Sequence, residues 1–191
     1  EAGTFMIATA ATCGEALIED VIPKHLDPIT AKLKEVGAEV EVGPDWIAVK
    51  RDKPITPSDV KTFPYPGFPT DLQPPMMVLL TQASGVSVIT ENVFEKRFCY
   101  VEELRKMGAR IRLEGRCAFI DGGHKLTGAH LRATDLRGGA AFIIAGLISE
   151  GLTTLSGLEH IDRGYERIEE RFKLLGVNVE RVNNSVPFPG K

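Results

Sequence analysis

Three stretches of this sequence end alike: LKEVGAEVEV, LRKMGARIRL and FKLLGVNVER each reach a glycine, at Gly37, Gly108 and Gly176, and then switch to alternating residues. Counting back from each glycine by 11, 8, 4 and 1 positions gives Leu26, Ile29, Leu33 and Val36, then Arg97, Tyr100, Leu104 and Met107, then Tyr165, Ile168, Phe172 and Leu175. That spacing is one face of an α-helix, and a glycine after it supplies the left-handed residue that closes a helix C-terminus. A repeat at such long intervals constrains the fold more than any single element, because each copy must be one structural unit that stacks on its copies.

A second set of helices, TFMIATAATCG, LQPPMMVLLTQASG and LRGGAAFIIAGLISEG, stops at Gly14, Gly85 and Gly151, each followed by a β-like run: EALIEDVI, VSVITENV and LTTLSGLEHI. Alternating strand sequence also follows each amphipathic helix, as in AEVEV then WIAVK, and ARIRL then CAFID. The unit therefore reads strand, apolar helix, strand, amphipathic helix, strand, strand, with a period of about 65 to 71 residues between the glycines. The fold class is α/β: a domain of three repeated βαβαββ units with pseudo-threefold symmetry, its apolar helices inside and its sheets and amphipathic helices outside. Leading strands are expected in DVKTFPYP and LTGAHLRA, but the first unit opens at Glu1 with its helix already starting. The chain is accordingly expected to be a fragment of a longer protein, with its domain at residues 1–182 and a flexible tail at 183–191.

At 191 residues, 43% apolar and 26% charged, with no run of 18 apolar residues, the sequence describes a soluble domain that does not span a membrane. A net charge of −3 gives no general attraction to nucleic acid or to an anionic membrane, so an anion site must be built from a few local cations. Three cysteines without C-x-x-C spacing, and no secretory segment, point to the cytoplasm; Cys13 and Cys117 are expected to be buried, inert thiols. The four histidines are scattered, and neither a phosphate-binding glycine loop nor a zinc motif is present, so neither a metal nor a nucleotide cofactor is expected.

Two apolar helices open with related tetrads, Thr70-Asp71-Leu72-Gln73 and Thr134-Asp135-Leu136-Arg137. Threonine as cap and aspartate as dipole complement would explain both. Arg137, however, puts a cation where the dipole disfavours one, and Gly138-Gly139 weaken the helix while leaving its backbone approachable, as an anion site at a helix start requires. Arg97 occupies a slot held by Leu26 and Tyr165 in the other units and so needs a partner, a ligand or a place on the rim. In HIDRGYERIEE, Arg163 lies between a strand and a helix, with Asp162 as the expected helix cap. If such turns gather at one end, Arg137 and Arg163 converge there, and Asp71 behind the stiff FPYPGFP run is an acid or base beside them.

FPTDLQ, ITENVFEKRF, LTGAHLRATDLRGGAA and HIDRGYERIEERFKLLG resemble, in order and spacing, the C-terminal domain of the bacterial UDP-N-acetylglucosamine 1-carboxyvinyltransferases. The resemblance covers Glu1 to about Val182 and implies one half of a two-domain enzyme, each domain an inside-out α/β barrel of three repeated units, in agreement with the threefold repeat. It also implies transfer of the enolpyruvyl group of phosphoenolpyruvate to the 3-hydroxyl of UDP-N-acetylglucosamine, a cytoplasmic step of peptidoglycan synthesis and so of cell-wall growth, shape and division. No cofactor is implied, and the partner is the missing N-terminal domain. By resemblance, Asp71 is the base and meets the sugar, the Val93 main chain meets the UDP-sugar, and Arg137 and Arg163 bind phosphoenolpyruvate, with Arg97 a third cation and Asp135 a supporting carboxylate. Neither Cys13, Cys99 nor Cys117 matches the family's cysteine acid, so the chain alone is expected to be inactive. The related shikimate-pathway transferase and a non-catalytic anion-binding scaffold are the alternatives.

Overall fold

The computed structural model describes residues 1–182. Its centre is three helices, α1 (Ala2–Ala11), α3 (Gln73–Leu80) and α5 (Leu136–Ile148), packed on one another. Every residue of α3 is buried, Gln73 included. A helix with no polar face has to be enclosed, which is why these three occupy the interior. By contrast α2 (Asp27–Glu35), α4 (Val101–Lys106) and α7 (Ile168–Leu174) bury one stripe each, through Ile29 and Leu33, Val101 and Leu104, and Ile168 and Phe172. Gly37, Gly108 and Gly176, with φ of 101°, 90° and 83°, turn the chain out of these three helices.

The sheets flank the helices. β1 (Glu15–Ile18), β2 (Glu39–Val42) and β3 (Ile47–Lys50) form an antiparallel sheet in the order β1-β3-β2. β4 (Val60–Lys61), β5 (Val86–Thr90), β6 (Arg110–Glu114) and β7 (Cys117–Asp121) form a second in the order β4-β5-β7-β6, with only β4 and β5 parallel. β8 (His130–Arg132) and β9 (Thr154–Ser156) make a parallel pair, and α6 (Leu158–Ile161) follows directly.

The second unit therefore has the whole predicted order, and the first begins at its helix. The third departs from it. After α7, residues 177–182 form no strand, although Val177 and Val179 still pack on the core. In the second sheet β6 bonds to β7 alone, and no strand stands in the matching place beside 177–182 among the described residues. Leu175, expected inward, is 56% exposed for the same lack of a covering element. Cys13 also differs from expectation: α1 ends at Ala11, so the thiol sits exposed in a turn at φ 53°, while Cys117 is half-buried. The expected flexible tail at 183–191 lies outside the described residues.

Candidate active site at the junction of two repeats

The starts of α3 and α5 meet, and the charged residues gather there. Asp135 is the N-cap of α5: one carboxylate oxygen accepts from the backbone N–H of Arg137 at 2.9 Å and of Gly138 at 3.1 Å. The cap is thus the aspartate and not Thr134, and it corrects the expectation of free amides at this helix start, since both are already satisfied. The paired glycines also have another cause. A Cβ on Gly138 would come within 2.9 Å of an Asp135 carboxylate oxygen and 3.1 Å of Tyr100 Cβ, and one on Gly139 within 2.5 Å of Ile161. They make room for protein, letting α6 and the turn Arg97–Tyr100 that leads into α4 close on α5.

What remains for an anion is the Arg137 side chain. Its Nε–H donates to Asp71 Oδ1, joining the third unit to the second. The two terminal nitrogens of the guanidinium have no partner among the described residues, and Arg137 is 34% and Asp71 58% exposed. A fork of free N–H groups suits a carboxylate or phosphate in two-point contact. Asp71 itself lies in a short 3-10 turn, Thr70–Leu72, where no side chain caps α3: Thr70, expected to cap it, points its hydroxyl to Glu91 at 3.0 Å instead.

Glu91 was not foreseen, yet it organises this side of the site. It is 1% exposed and accepts from Thr62 Oγ1, Val93 N and Phe94 N at 2.9, 2.9 and 3.0 Å, as well as from Thr70. The sequence carried a signal for it: Ser87 and Ile89 are the inward residues of β5, and position 91 continues their alternation. Arg97, half-buried, donates Nε–H to Thr70 Oγ1 at 3.1 Å and lies 4.2 Å over the Phe94 ring. Its polar partner and aromatic shelf explain how an arginine fits an otherwise apolar helix face.

Arg163 lies in the exposed turn after α6, with no hydrogen-bond or ion-pair partner among the described residues. The turn abuts the start of α5 so closely that a Cβ on Gly164 would come within 2.7 Å of Leu136. Beside it Tyr165 exchanges a 2.7 Å hydrogen bond with Thr4, and burial pushes its phenol up, a shift to which the nearby Glu1 and Asp71 charges add. Asp162 does not cap α7, whose preceding residue is Arg167. Instead Arg181 holds both Asp162 oxygens at 3.0 and 2.7 Å and both Glu169 oxygens at 2.7 and 3.0 Å. Those hydrogen bonds hold both carboxyls below the usual range, Arg181 is raised in turn, and the turn bearing Arg163 is fastened to residue 181.

The structure thus joins Asp71, Arg137 and Asp135 directly, and Arg97 and Val93 through Thr70 and Glu91; Arg163 stands on the adjoining turn. Cys99 has its thiol pushed up, first by burial and then by the Asp135 charge, which disfavours the thiolate a reactive cysteine needs. Chemically the arrangement offers an exposed carboxylate able to take a proton, held by a guanidinium with spare donors for an anion.

A family model described as EPSP synthase (3-phosphoshikimate 1-carboxyvinyltransferase) matches residues 1–172. The UDP-N-acetylglucosamine 1-carboxyvinyltransferase 3 of Caldanaerobacter subterraneus subsp. tengcongensis is 56% identical over 182 residues, 95% of this chain and 44% of that protein. The corresponding enzyme of Desulfofundulus thermocisternus is 52% identical over 182 residues, 95% of this chain and 75% of its own. Against the first of these the chain spans less than half the length. Among solved structures, the enolpyruvyl transferase NikO from Streptomyces tendae superimposes with a TM-score of 0.82 at 30% identity, over 91% of this chain and 42% of that one. An EPSP synthase from Acinetobacter baumannii shares the fold, with a TM-score of 0.71 at 19% identity over 91% of this chain and 44% of its own.

Proposed function

This chain belongs to the EPSP synthase family of carboxyvinyltransferases, and on that premise we propose that it forms half of the active site of an enzyme moving an enolpyruvyl group from phosphoenolpyruvate to UDP-N-acetylglucosamine. The acceptor is the one in the names of its relatives. The observation that carries the reading is the Asp71–Arg137 pair across the repeat boundary, a proton acceptor beside a guanidinium with free donors.

In the proposed reaction Asp71 removes the proton of the sugar 3-hydroxyl as that oxygen attacks C2 of phosphoenolpyruvate. The C3 methylene takes a proton from an acid that this chain does not supply, giving a tetrahedral adduct. Loss of a C3 proton with departure of phosphate then regenerates the enol ether on the sugar. Arg137, Arg163 and Arg97 face the carboxylate and phosphate, and a phosphoenolpyruvate anion on the free nitrogens of Arg137 competes with Asp71 for it, leaving the carboxylate to the hydroxyl. Asp135 fixes the first turn from which Arg137 projects, and the Val93 main chain lies along the sugar nucleotide. The acid and the rest of the nucleotide site belong to an N-terminal domain. The whole enzyme works in the cytoplasm on the peptidoglycan precursor, and so in cell shape and division; no described helix is long and apolar enough to cross a membrane.

The test is phosphate release from phosphoenolpyruvate by the full-length protein carrying this segment. Release should require UDP-N-acetylglucosamine, fail with shikimate 3-phosphate, and fall about 100-fold or more with Asp71→Asn and with Arg137→Met at unchanged folding. Product from the 191-residue chain alone, or full activity in both variants, would refute it.

A further inference from the structure

No role above uses the carboxylate of Glu91, although it is 1% exposed and four donors converge on it from three segments of the site. Burying a carboxylate with no cation bonded to it among the described residues is costly, so a built cage of this kind calls for a purpose. The direction of its protons suggests one. Thr70 has a single hydroxyl proton and gives it to Glu91 Oε2, which leaves its lone pairs facing the Nε–H of Arg97. Glu91 thereby sets the polarity of Thr70 and, one bond further, the orientation of Arg97, with Asp71 the next residue along the chain. Its other oxygen pins the amides of Val93 and Phe94, and the Phe94 ring is the shelf under the Arg97 guanidinium.

We propose that Glu91 is a positioning residue for the transfer reaction: it touches no substrate but couples the placement of the sugar-side loop at Val93 to that of the anion-side Arg97. The proposal rests on the reaction proposed above. Glu91→Gln separates the two arms. A glutamine keeps a carbonyl oxygen for Thr62, Val93 and Phe94 but turns an NH2 toward Thr70, which must then accept rather than donate.

In the full-length protein, Glu91→Gln should lower kcat/KM for phosphoenolpyruvate about 10-fold or more while KM for UDP-N-acetylglucosamine stays within about twofold. Thr70→Val should reproduce that loss, Thr70→Ser should restore most of it, and Glu91→Gln added to Thr70→Val should cost little more. The Arg97 Nε–H signal, observed by 15N-arginine labelling, should shift in Glu91→Gln and in Thr70→Val. An equal rise in both KM values, losses that multiply in the double variant, or an unmoved Arg97 signal would overturn the proposal. Should the wild-type protein show no transfer, the reaction is wrong and the Arg97 signal alone decides the coupling. Should Glu91→Gln fail to fold, the Thr70 pair decides it.

Discussion

Gly157 ends β9 and opens α6, and replacing it with alanine should cost far more than its conformation alone. Its φ of 78° and ψ of 32° lie in the left-handed region, and a Cβ there would sit 2.3 Å from Ala133 O and 3.2 Å from Ala133 C. Those atoms are backbone, and Ala133 N is tied to Ser156 O at 2.9 Å, so the neighbour cannot step aside without breaking the β8–β9 pair. Gly115, in the β6–β7 turn, is the control, with φ 58° and nothing within 4 Å of its would-be Cβ. Gly115→Ala carries the left-handed penalty of about 1–2 kcal/mol, partly offset by about 0.4–1 kcal/mol from the stiffer unfolded chain. Gly157→Ala carries the same, plus about 1–3 kcal/mol of overpacking and about 1 kcal/mol for the ladder bond, so it should be the worse by about 2–4 kcal/mol. Urea unfolding of the two variants in one background measures the difference. Equal midpoints at equal slope would refute the claim that backbone crowding at Ala133 decides the cost.

Two further outcomes follow from buried and clamped groups. Arg181→Met should cost about 1–2 kcal/mol at pH 7, discounted because Arg181 and Asp162 are 33% and 44% exposed. Because Asp162 and Glu169 are depressed in the folded state, the clamp's contribution is whole above the unfolded carboxyl pKa of about 4 and fades as pH falls through the lower folded values. Melts at pH 7 and at about pH 3 should therefore show the gap between wild type and variant closing, and a constant gap would contradict the assignment. Tyr100→Phe should cost about 1–3 kcal/mol, since the buried Gln73, whose Nε2 lacks a partner among the described residues, would also lose the 3.0 Å bond to its Oε1. Gln73→Leu combined with Tyr100→Phe should recover much of that loss in the same denaturation assay.

The repeat was legible because Gly37, Gly108 and Gly176 mark one backbone event three times, and helix periodicity then dictated which residues lie inside. Leu175 broke that rule because burial depends on what covers a face, and the sequence of the helix says nothing about its cover. Arg163, expected to converge with Arg137, stands on the adjoining turn, and the meeting of Asp71 with Arg137 followed from their places at the starts of α3 and α5. The direction of their hydrogen bonds did not. Asp135 could cap or stand free, and only the geometry shows it taking the two amides that an anion would otherwise use. Glu91 was hidden by the ordinary rule that glutamates face water.

Asp71 and Arg137 stand 66 residues apart, about one repeat. Neither unit contains the pair, so it exists only after the second and third have each formed and docked. A ligand gripping both side chains recognises that late state and no earlier one. At 100 times its Kd it would deepen the docked state by about 2.7 kcal/mol. A ligand of that kind would act on assembly as well as on chemistry, favouring chains whose repeats have docked correctly over those whose repeats have not.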